Sequence, residues 1–362
     1  MTSPLPPKAR VLVVRLSALG DVVFAIPAVA ALRQMLPDAQ IDWLVEDRHA
    51  SLLRSLPLHD NSIIFPRSEW KQRGGLGRVW KHIRNLRALP KYDAVIDFQG
   101  NLKSSMQARA VPSALRLGFD KGVAKEGAYR RYNKRVANPG RVPRAVRDLA
   151  LVREFARLHD LDWQWPNWNS ASNALPIVGR WTMHAEVVAE MAVSLAADAQ
   201  QNQPLLLLHT SVTSYGKDKE WPLESWVELI RGLTADDHRV RLLWTPGDRP
   251  HVEKILSYCP QAQLAPPTPS LEHLMALLDE AALTIGTDSG PVHLAALRGN
   301  RVLGLYGPTD PVRFAPPGPD AHVVSALPVE QEPPKRDRSC RSPLMEQIAA
   351  ADVLARAQEL LA

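Results

Sequence analysis

The sequence predicts an α/β protein whose two domains each contain a doubly wound parallel sheet. Short apolar segments alternate with helical ones through both halves of the 362-residue chain, which is the pattern of parallel strands joined by crossover helices. Between the halves, residues 162–176 contain three tryptophans and two prolines and follow neither the helical nor the strand period. Such a segment is typical of a connection between domains, and the chain is long enough for two sizeable cores.

The first half begins with a β-branched apolar run, residues 10–16, followed by a helix that ends before Pro37. The turn between them lacks G-x-G-x-x-G, which argues against a nicotinamide site. The predicted strands of this half span residues 10–16, 41–45, 61–65 and 92–97, and its helices span residues 22–36, 47–56, 76–89 and 146–159, with one more opening at residues 99–105.

The second half starts a new alternation of the same kind, with strands and helices of similar length. Its predicted strands span residues 204–209, 240–244, 283–286 and 301–306, and its helices span residues 223–233, 250–258, 271–278 and 344–361, with one more opening at residue 294. The periods repeat those of the first half, so a second parallel sheet is expected.

Composition limits the cellular setting. No apolar run is long enough to span a bilayer, and the start, Met1–Lys8, is rich in proline and lacks the apolar centre of a signal peptide. Cys259 and Cys340 are the only cysteines, which fits a reducing compartment. We therefore expect a cytoplasmic protein with no structural disulfide. No histidine or cysteine cluster has metal-ligand spacing, so no metal site is expected.

The positive charge is concentrated in the first half. The net charge is +6, but residues 67–135 contain seventeen Lys or Arg against five Asp or Glu. Such a region attracts nucleic acid, anionic lipid or a phosphorylated substrate, or else consists of solvated helix faces. The chain lacks helix-turn-helix, zinc-finger and RNP signatures, so we expect no nucleic acid as a partner.

A turn in the second half has the residues of a phosphate-binding site. Residues 286–293, G-T-D-S-G-P-V-H, follow an apolar run and lead into a helix, with Asp288 or Ser289 as a natural N-cap. Because a helix start carries unpaired N–H groups and a positive dipole end, small residues there let a diphosphate approach closely. The alternative is that D-S-G is only a capped turn and His293 a packed histidine.

Asp21 occupies the corresponding place in the first half. It follows the first strand and lies at the start of the first helix. An aspartate there either stabilises the helix dipole or, at the carboxyl end of a parallel strand, faces the crevice where ligands bind.

Five motifs together resemble those of glycosyltransferase family 9, the ADP-heptose:lipopolysaccharide heptosyltransferases. They are L-S-A-L-G-D at residues 16–21, Y-D-A-V-I-D-F-Q-G at 92–100, K-D-K-E-W-P at 217–222, D-S-G-P-V-H at 288–293 and Y-G-P-T-D-P at 306–311. They extend over nearly the whole chain in order, and the motifs of the first half resemble heptosyltransferase I best.

The resemblance implies a GT-B fold with two Rossmann-like domains facing a central cleft. Residues 1–170 would bind the acceptor, residues 171–342 the nucleotide-sugar donor, and a helix within residues 343–362 would pack back toward the first domain. It also implies inverting transfer, without metal or cofactor, of a heptose or a related sugar from a nucleotide-diphosphate donor such as ADP-heptose to a lipid-linked acidic acceptor such as Kdo-lipid A. The alternative within the family is a different sugar donor and glycan acceptor. We expect a monomer bound peripherally at the anionic inner face of the cytoplasmic membrane.

The resemblance also assigns residues. Asp21 falls on the catalytic carboxylate, a general base for the acceptor hydroxyl. Lys219 falls on the lysine that meets the donor phosphates. The remaining donor positions are Thr210, Ser211, Asp288, Ser289, Gly290 and His293. After Trp244 the acidic residue that would hold the nucleotide ribose is displaced, which leaves Asp248 or Glu253 for that role.

Acceptor residues are predicted from placement and charge. The loop after the strand 61–65 is basic and emerges at the sheet edge that carries Asp21. It contains Arg67, Lys71 and Arg73, and Lys125 in the later basic segment is a further candidate. Their alternative interpretation is solvated charge on a surface loop.

Overall fold

The protein is described from a computed structural model, which covers residues 5–6, 8–70, 75–162, 181–196 and 203–362. The chain divides into two compact units, Met1–Trp168 with Pro176–Trp181, and Asn169–Leu175 with Thr182–Ala362. Each unit contains one six-stranded sheet in which all pairings are parallel.

The sheet of the first unit has the order β3-β2-β1-β4-β5-β6, so the chain turns back beside β1. Its strands are β1 Arg10–Val14, β2 Gln40–Glu46, β3 Asn61–Phe65, β4 Tyr92–Asp97, β5 Ser113–Phe119 and β6 Lys134–Val136. The residues from Val11 to Val14 are fully buried, as expected for a central parallel strand covered on both faces.

The helices of this unit are α1 Leu19–Met35, α2 Ala50–Arg54, α3 Arg67–Trp70, α4 Gly75–Arg87, α5 Leu102–Ala110 and α6 Arg144–Leu158, with short 3-10 turns at Asp47–His49 and Ala128–Arg131. Helices α1 and α6 pack together, and α4 packs beside α5. Right-handed crossovers on either side of β1 place these two pairs on opposite faces of the sheet.

The sheet of the second unit has the order β12-β11-β10-β7-β8-β9. Its strands are β7 Leu205–His209, β8 Arg239–Leu242, β9 Gln263–Leu264, β10 Leu283–Thr287, β11 Val302–Tyr306 and β12 Ala321–Ser325. Its helices are α7 Ala185–Ala196, α8 Leu223–Ala235, α9 Arg249–Tyr258, α10 Leu271–Asp279, α11 Gly290–Leu297, α12 Pro311–Phe314, α13 Pro343–Glu346 and α14 Ala350–Leu361, with a 3-10 segment at Ser214–Lys219.

The last helix is part of the core of the second unit. Helix α14 packs on α8 of the second unit, and its buried Val353 and Ala357 belong to that unit's core. Gly232 of α8 permits this contact, since a β-carbon there would lie 2.4 Å from the Leu354 side chain. The predicted single helix over residues 344–361 is also divided into α13 and α14.

Four strands are absent from the sequence prediction, namely β5, β6, β9 and β12. Strand β5 reads S-A-L-R-L-G-F, and the arginine and small residues interrupt its apolar character. Strands β6 and β9 are only three and two residues long. Edge strands of that length carry too little periodicity to detect.

None of the described helices is both long and apolar enough to cross a membrane.

Candidate active site

Asp21 lies in the first turn of α1, at the carboxyl edge of the first sheet, which is the edge where its parallel strands end. The loop that leads to it is held by Gln99, whose side-chain oxygen accepts hydrogen bonds from the backbone N–H groups of Leu16 at 2.8 Å and Ser17 at 3.3 Å. Asp97 fixes the backbone around Gln99, because its carboxylate accepts a hydrogen bond from the Gln99 N–H at 2.9 Å. The motifs at residues 16–21 and 92–100 therefore form one structure.

Arginines surround the Asp21 carboxylate on one side. Arg144 Nη2 donates to Oδ1 at 3.0 Å, and Nη2 of the fully buried Arg15 lies 3.2 Å from the same oxygen. Among the described residues no group donates to Oδ2, and the side chain of Asp21 is 33% exposed. One carboxylate oxygen is thus fixed while the other is open to a ligand.

The same network continues into the protein. Arg15 Nη1 donates to the Phe98 carbonyl at 2.7 Å, and Arg147 Nε donates to the buried Asp148 at 2.9 Å. Burial by itself raises the pKa of Asp21, but the guanidinium groups of Arg15, Arg144 and Arg147 outweigh it and hold that pKa well below its usual range. Asp21 is therefore ionised throughout the neutral pH range.

A second charge cluster lies at the same edge, around Glu46 at the end of β2. Glu46 is fully buried and accepts from Lys103 Nζ at 2.5 Å and from Arg48 Nε at 3.0 Å, and Arg67 Nε lies 3.6 Å from Oε1. Burial raises the pKa of Glu46, but Lys103, Arg48 and Arg67 outweigh it and lower that pKa. Three cations around one carboxylate leave a local positive excess.

The predicted acceptor residues are only partly brought together. Arg67 joins the Glu46 cluster, while Lys125 is exposed on the loop after β5, where its N–H donates to the Gly100 carbonyl at 2.8 Å. Lys71 and Arg73 lie outside the described residues, as does most of the tryptophan-rich connection.

The carboxyl edge of the second sheet is lined with hydroxyl groups. Thr210 and Ser211 follow β7, Thr287 ends β10, Ser289 precedes α11, and Thr309 follows β11. The hydroxyl oxygens of these five residues are buried and meet no hydrogen-bond partner among the described residues. A buried hydroxyl left without a partner costs roughly 1–3 kcal/mol, so five of them along three adjacent strands indicate a site built for a polar ligand.

The turn after β10 has the local structure of an anion site. Ser289 is the N-cap residue of α11 by its extended backbone, but its side chain makes no capping hydrogen bond. The first N–H groups of α11 are therefore left to a ligand. Gly286 is required just before the turn, because a β-carbon there would lie 2.8 Å from Val292 and 3.0 Å from the His209 carbonyl.

Lys219 meets this turn from the 3-10 segment. Its ammonium group contacts the Asp288 carbonyl oxygen and lies 3.3 Å from Asp288 Oδ2, and His293 Nε2 lies 2.8 Å from Oδ1. Burial raises the pKa of Asp288, but Lys219 and His293 outweigh it and hold that pKa well below its usual range. The Asp288 carboxylate is thereby directed at Lys219 and His293, and the lysine is held at the start of α11.

The burial of side chains alternates along residues 217–219, and this determines which of Lys217 and Lys219 faces the protein interior. Asp218 is fully buried and accepts from Arg336 Nε at 2.5 Å and Nη2 at 2.8 Å. Lys217 is exposed, whereas the side chain of Lys219 is 20% exposed. The Asp218–Arg336 pair thus anchors the segment in the register that places Lys219 beside Asp288.

Asp248 and Glu253 are the two candidates for holding the nucleotide ribose, and both already pair with residues close in sequence. Asp248 Oδ1 accepts from the Thr245 hydroxyl at 2.9 Å, and Glu253 pairs with Arg249 at 2.7 Å. His209, near Asp248, is neutral at pH 7 because burial lowers its pKa to about 4.

One sequence detail bears on metals. Asp160-Leu161-Asp162 has the D-x-D spacing of metal-dependent transferases, but both carboxylates are exposed beyond the end of α6 in the first unit. Throughout the part of the chain that the structure describes, no group of three or more His, Cys, Asp or Glu could hold a metal ion.

Several site residues were not predicted. Arg15 directly follows β1, whereas Arg144 and Arg147 both lie in α6, and only the fold brings the two segments together at Asp21. Thr287 and Thr309 lie in or beside the motifs at strand ends, and Lys103 follows the motif 92–100 at the start of α5, so their positions were a usable signal.

The chain matches a known protein family over most of its length. The model of glycosyltransferase family 9 (heptosyltransferase) matches residues 79–345, a range that contains Lys219 and the turn 288–293 and begins after Asp21. The chain therefore belongs to glycosyltransferase family 9. It is a glycosyltransferase with the two Rossmann-like domains of the GT-B fold class.

Individual relatives are similar along most of their length. The lipopolysaccharide core heptosyltransferase OpsX of Haemophilus influenzae is 26% identical over 86% of this chain and 83% of its own, and lipopolysaccharide heptosyltransferase 1 of Escherichia coli K12 is 28% identical over 83% and 89%. The solved structure of E. coli heptosyltransferase WaaC with ADP superposes with a TM-score of 0.71 and 25% identity, and covers 97% of this chain and 99% of that one.

Proposed function

We propose that this protein transfers a heptose from ADP-heptose to a lipid-linked acidic acceptor of the lipopolysaccharide core, with inversion and without a metal ion. The observation that carries the proposal is the set of five buried, unpartnered hydroxyls beside Lys219 and the uncapped start of α11. The names of the relatives support the sugar and the acceptor, and the WaaC structure with ADP supports the nucleotide.

In this proposal the second unit holds the donor. Hydroxyl groups of Thr210, Ser211 and Thr309 and the N–H groups of α11 bind the diphosphate oxygens, and Lys219 contributes the positive charge. Asp288 positions that lysine through Oδ2, and His293 in turn holds the Asp288 carboxylate through Oδ1. The charge on the departing ADP grows as the sugar–phosphate bond breaks, so these groups act most strongly in the transition state.

The first unit supplies the base. The acceptor hydroxyl oxygen attacks the anomeric carbon on the face opposite the diphosphate, the bond to the diphosphate oxygen breaks, and the proton passes to Asp21. Oδ2 is the oxygen suited to that proton, because Oδ1 is held by Arg144 and Arg15. The three arginines lower the basicity of Asp21 but fix its orientation, and orientation is what a general base needs first.

The acceptor is proposed to be anionic because of the charges at this edge. Arg48, Arg67 and Lys103 surround a single carboxylate, and Lys125 lies on a neighbouring loop. Kdo carboxylates and lipid A phosphates are suitable partners for such cations. A lipid-linked acceptor would place the enzyme at the inner face of the cytoplasmic membrane.

The substrate assignment is tested by mass spectrometry of Kdo-lipid A incubated with the protein and a panel of nucleotide sugars. A product heavier by one heptose with ADP-heptose alone is expected. A higher rate of transfer from another nucleotide sugar would contradict ADP-heptose as the donor but not the family assignment. An unchanged mass of Kdo-lipid A with every donor would contradict Kdo-lipid A as the acceptor.

Metal independence gives a further expected result. Lys219 and the start of α11 already supply positive charge to the leaving diphosphate, so turnover is expected to persist in excess EDTA. Parallel assays in EDTA, magnesium and manganese check this. Loss of turnover in EDTA with recovery in either metal would contradict it.

Lys71 and Arg73, which follow α3 in sequence, should affect the acceptor only. Replacing Lys71 and Arg73 together with Ala is expected to raise the acceptor KM by about 3- to 30-fold, because charge-assisted contacts are weak when exposed and stronger when desolvated. Donor KM should not change. The exposed pair Lys335 and Arg338 of the second unit provides a control with the same loss of charge. An unchanged acceptor KM at physiological salt would leave Lys71 and Arg73 without a substrate role.

A further inference from the structure

One surface of the first unit combines exposed apolar side chains with unpaired cations. Four large hydrophobic side chains of this unit's described residues are exposed, and three lie on the neighbouring helices α4 and α5: Trp80 at 68%, Leu102 at 37% and Met106 at 51%. Single exposed hydrophobic residues are ordinary. Three on two helices that pack side by side are more than isolated exposures, and they call for a partner.

The two helices are firmly attached to the unit through their other sides. His82 of α4 and Gln107 of α5 are both buried, and their side chains lie 2.9 Å apart. On the outer side of α4, Trp80, Arg84 and Arg87 are spaced by four and three residues, and on α5 Leu102, Met106 and Arg109 repeat that spacing. Each helix therefore presents apolar and cationic groups on one face.

The charge of this surface is predominantly positive. Helices α4 and α5 contain six Lys or Arg and no Asp or Glu. Beside α5, Arg109, Arg130 and Arg131 line a depression of about 350 Å³ together with Gly127 and Glu126. Glu126 already accepts from the Leu102 N–H at 3.0 Å. Lys81, Arg84, Arg87 and the three arginines of the depression form no ion pair within the described part of the chain.

We propose that α4, α5 and the turn Ala128–Arg131 form a docking surface for an anionic lipid bilayer. Trp80, Leu102 and Met106 enter the interfacial layer, where aromatic and aliphatic groups of such surfaces reside. The surrounding cations contact lipid phosphates, and the arginine depression receives one headgroup. A nucleic acid is less well matched, because it offers phosphates to the arginines but no apolar layer to Met106 and Leu102.

The inference deepens the proposed function, since it rests on an acceptor that is lipid-linked. Binding to vesicles without donor or acceptor tests the surface by itself, and transfer to a lipid-free acceptor oligosaccharide tests the chemistry by itself. The two proposals can therefore fail separately.

The experiment is co-sedimentation of the full-length protein with vesicles of phosphatidylcholine, alone or mixed with phosphatidylglycerol. Binding to the anionic vesicles only is expected. The variant Arg109→Gln/Arg130→Gln/Arg131→Gln should lower it on the order of 100-fold, because each basic side chain near an anionic surface contributes roughly a factor of five. Trp80→Ser/Met106→Ser should weaken it about tenfold, since their burial in the interface is lost. Both variants should retain wild-type turnover on the lipid-free acceptor.

Two controls match these variants in the second unit. Lys254→Gln/Lys335→Gln/Arg338→Gln removes the same charge from exposed positions, and Val188→Ser/Val193→Ser removes two apolar side chains that are 41% and 71% exposed. Both are expected to bind vesicles like the wild type. The proposal would be overturned if each control lost as much vesicle binding as the variant it matches, or if the variants of the first unit bound vesicles like the wild type. It would also be overturned if the protein retained short duplex RNA but did not bind vesicles.

Discussion

Replacement of Asp21 by Asn is expected to lower kcat on the order of 100-fold or more, the scale of losing a positioned general base. Asn keeps the shape of the side chain and removes the group that takes the proton from the acceptor. Donor affinity should change little, because every donor contact proposed above comes from the second unit. Steady-state kinetics with donor and acceptor varied separately, together with the donor Kd, provide the measurement.

The matched control is Asp148→Asn. Asp148 shares Arg15 and Arg147 with Asp21, but it is fully buried and out of reach of an acceptor. Its replacement leaves buried arginines without part of their countercharge, so Tm should fall. The free energy of unfolding should decrease by about 3 kcal/mol, as for other buried ion pairs that lose one partner. The kcat of the folded enzyme should fall far less than with Asp21→Asn. Equal losses of kcat would assign the effect to the integrity of the arginine network instead of to a base.

The pH profile separates the two explanations further. The pKa of Asp21 is lowered by its arginines, so the carboxylate stays ionised down to acidic pH and its ion pairs are lost only as pH falls through that lowered pKa. The kcat/KM of the wild-type enzyme should therefore show no acid limb from Asp21 between about pH 5 and 8. A limb in that range which disappears in Asp21→Asn would contradict the surroundings described for this carboxylate.

Elements with many apolar residues were predictable because parallel strands covered on both faces read as continuous apolar runs. This applies to β1, β7, β10 and β11, which also carry the loops of the site. It fails for the edge strands β6 and β9, which are too short for a period to appear. The final helix was found as an element, but its partner α8 depended on contacts such as Gly232 with Leu354, which no local pattern encodes.

The site residues that could be predicted are those that belong to short sequence motifs. Lys219, Asp288 and His293 lie in short motifs at strand ends, and the structure brings them together within hydrogen-bonding distance. The arginines around Asp21 could not be found in this way. Arg15 points inward from the end of β1, and Arg144 belongs to a helix more than a hundred residues away in sequence. Their encounter is a property of the sheet order β1-β4-β5-β6 and of the packing of α6 on α1.

Replacement of Lys219 by Ala is expected to reduce kcat by about 100-fold and to weaken donor binding by about tenfold. A charged hydrogen bond to the diphosphate contributes roughly 1.5–3 kcal/mol in the ground state, and more as negative charge develops on the leaving group. The Asp288 carboxylate would lose its cation and retain only His293 at 2.8 Å. It would then repel the diphosphate, which adds to the loss.

The control for this substitution lies two residues away. Lys217→Ala removes the same charge from an exposed position on the other side of the buried Asp218, so it should change kcat and donor Kd by less than about threefold, as usual for an exposed lysine. Isothermal titration with ADP gives the binding change, and turnover with ADP-heptose gives the rate. If Lys217→Ala were the more damaging variant, the register fixed by the Asp218–Arg336 pair would not be the one used in catalysis. If both were harmless, positive charge for the leaving group would have to come from elsewhere, with the N–H groups of α11 as the remaining source in the second unit's described residues.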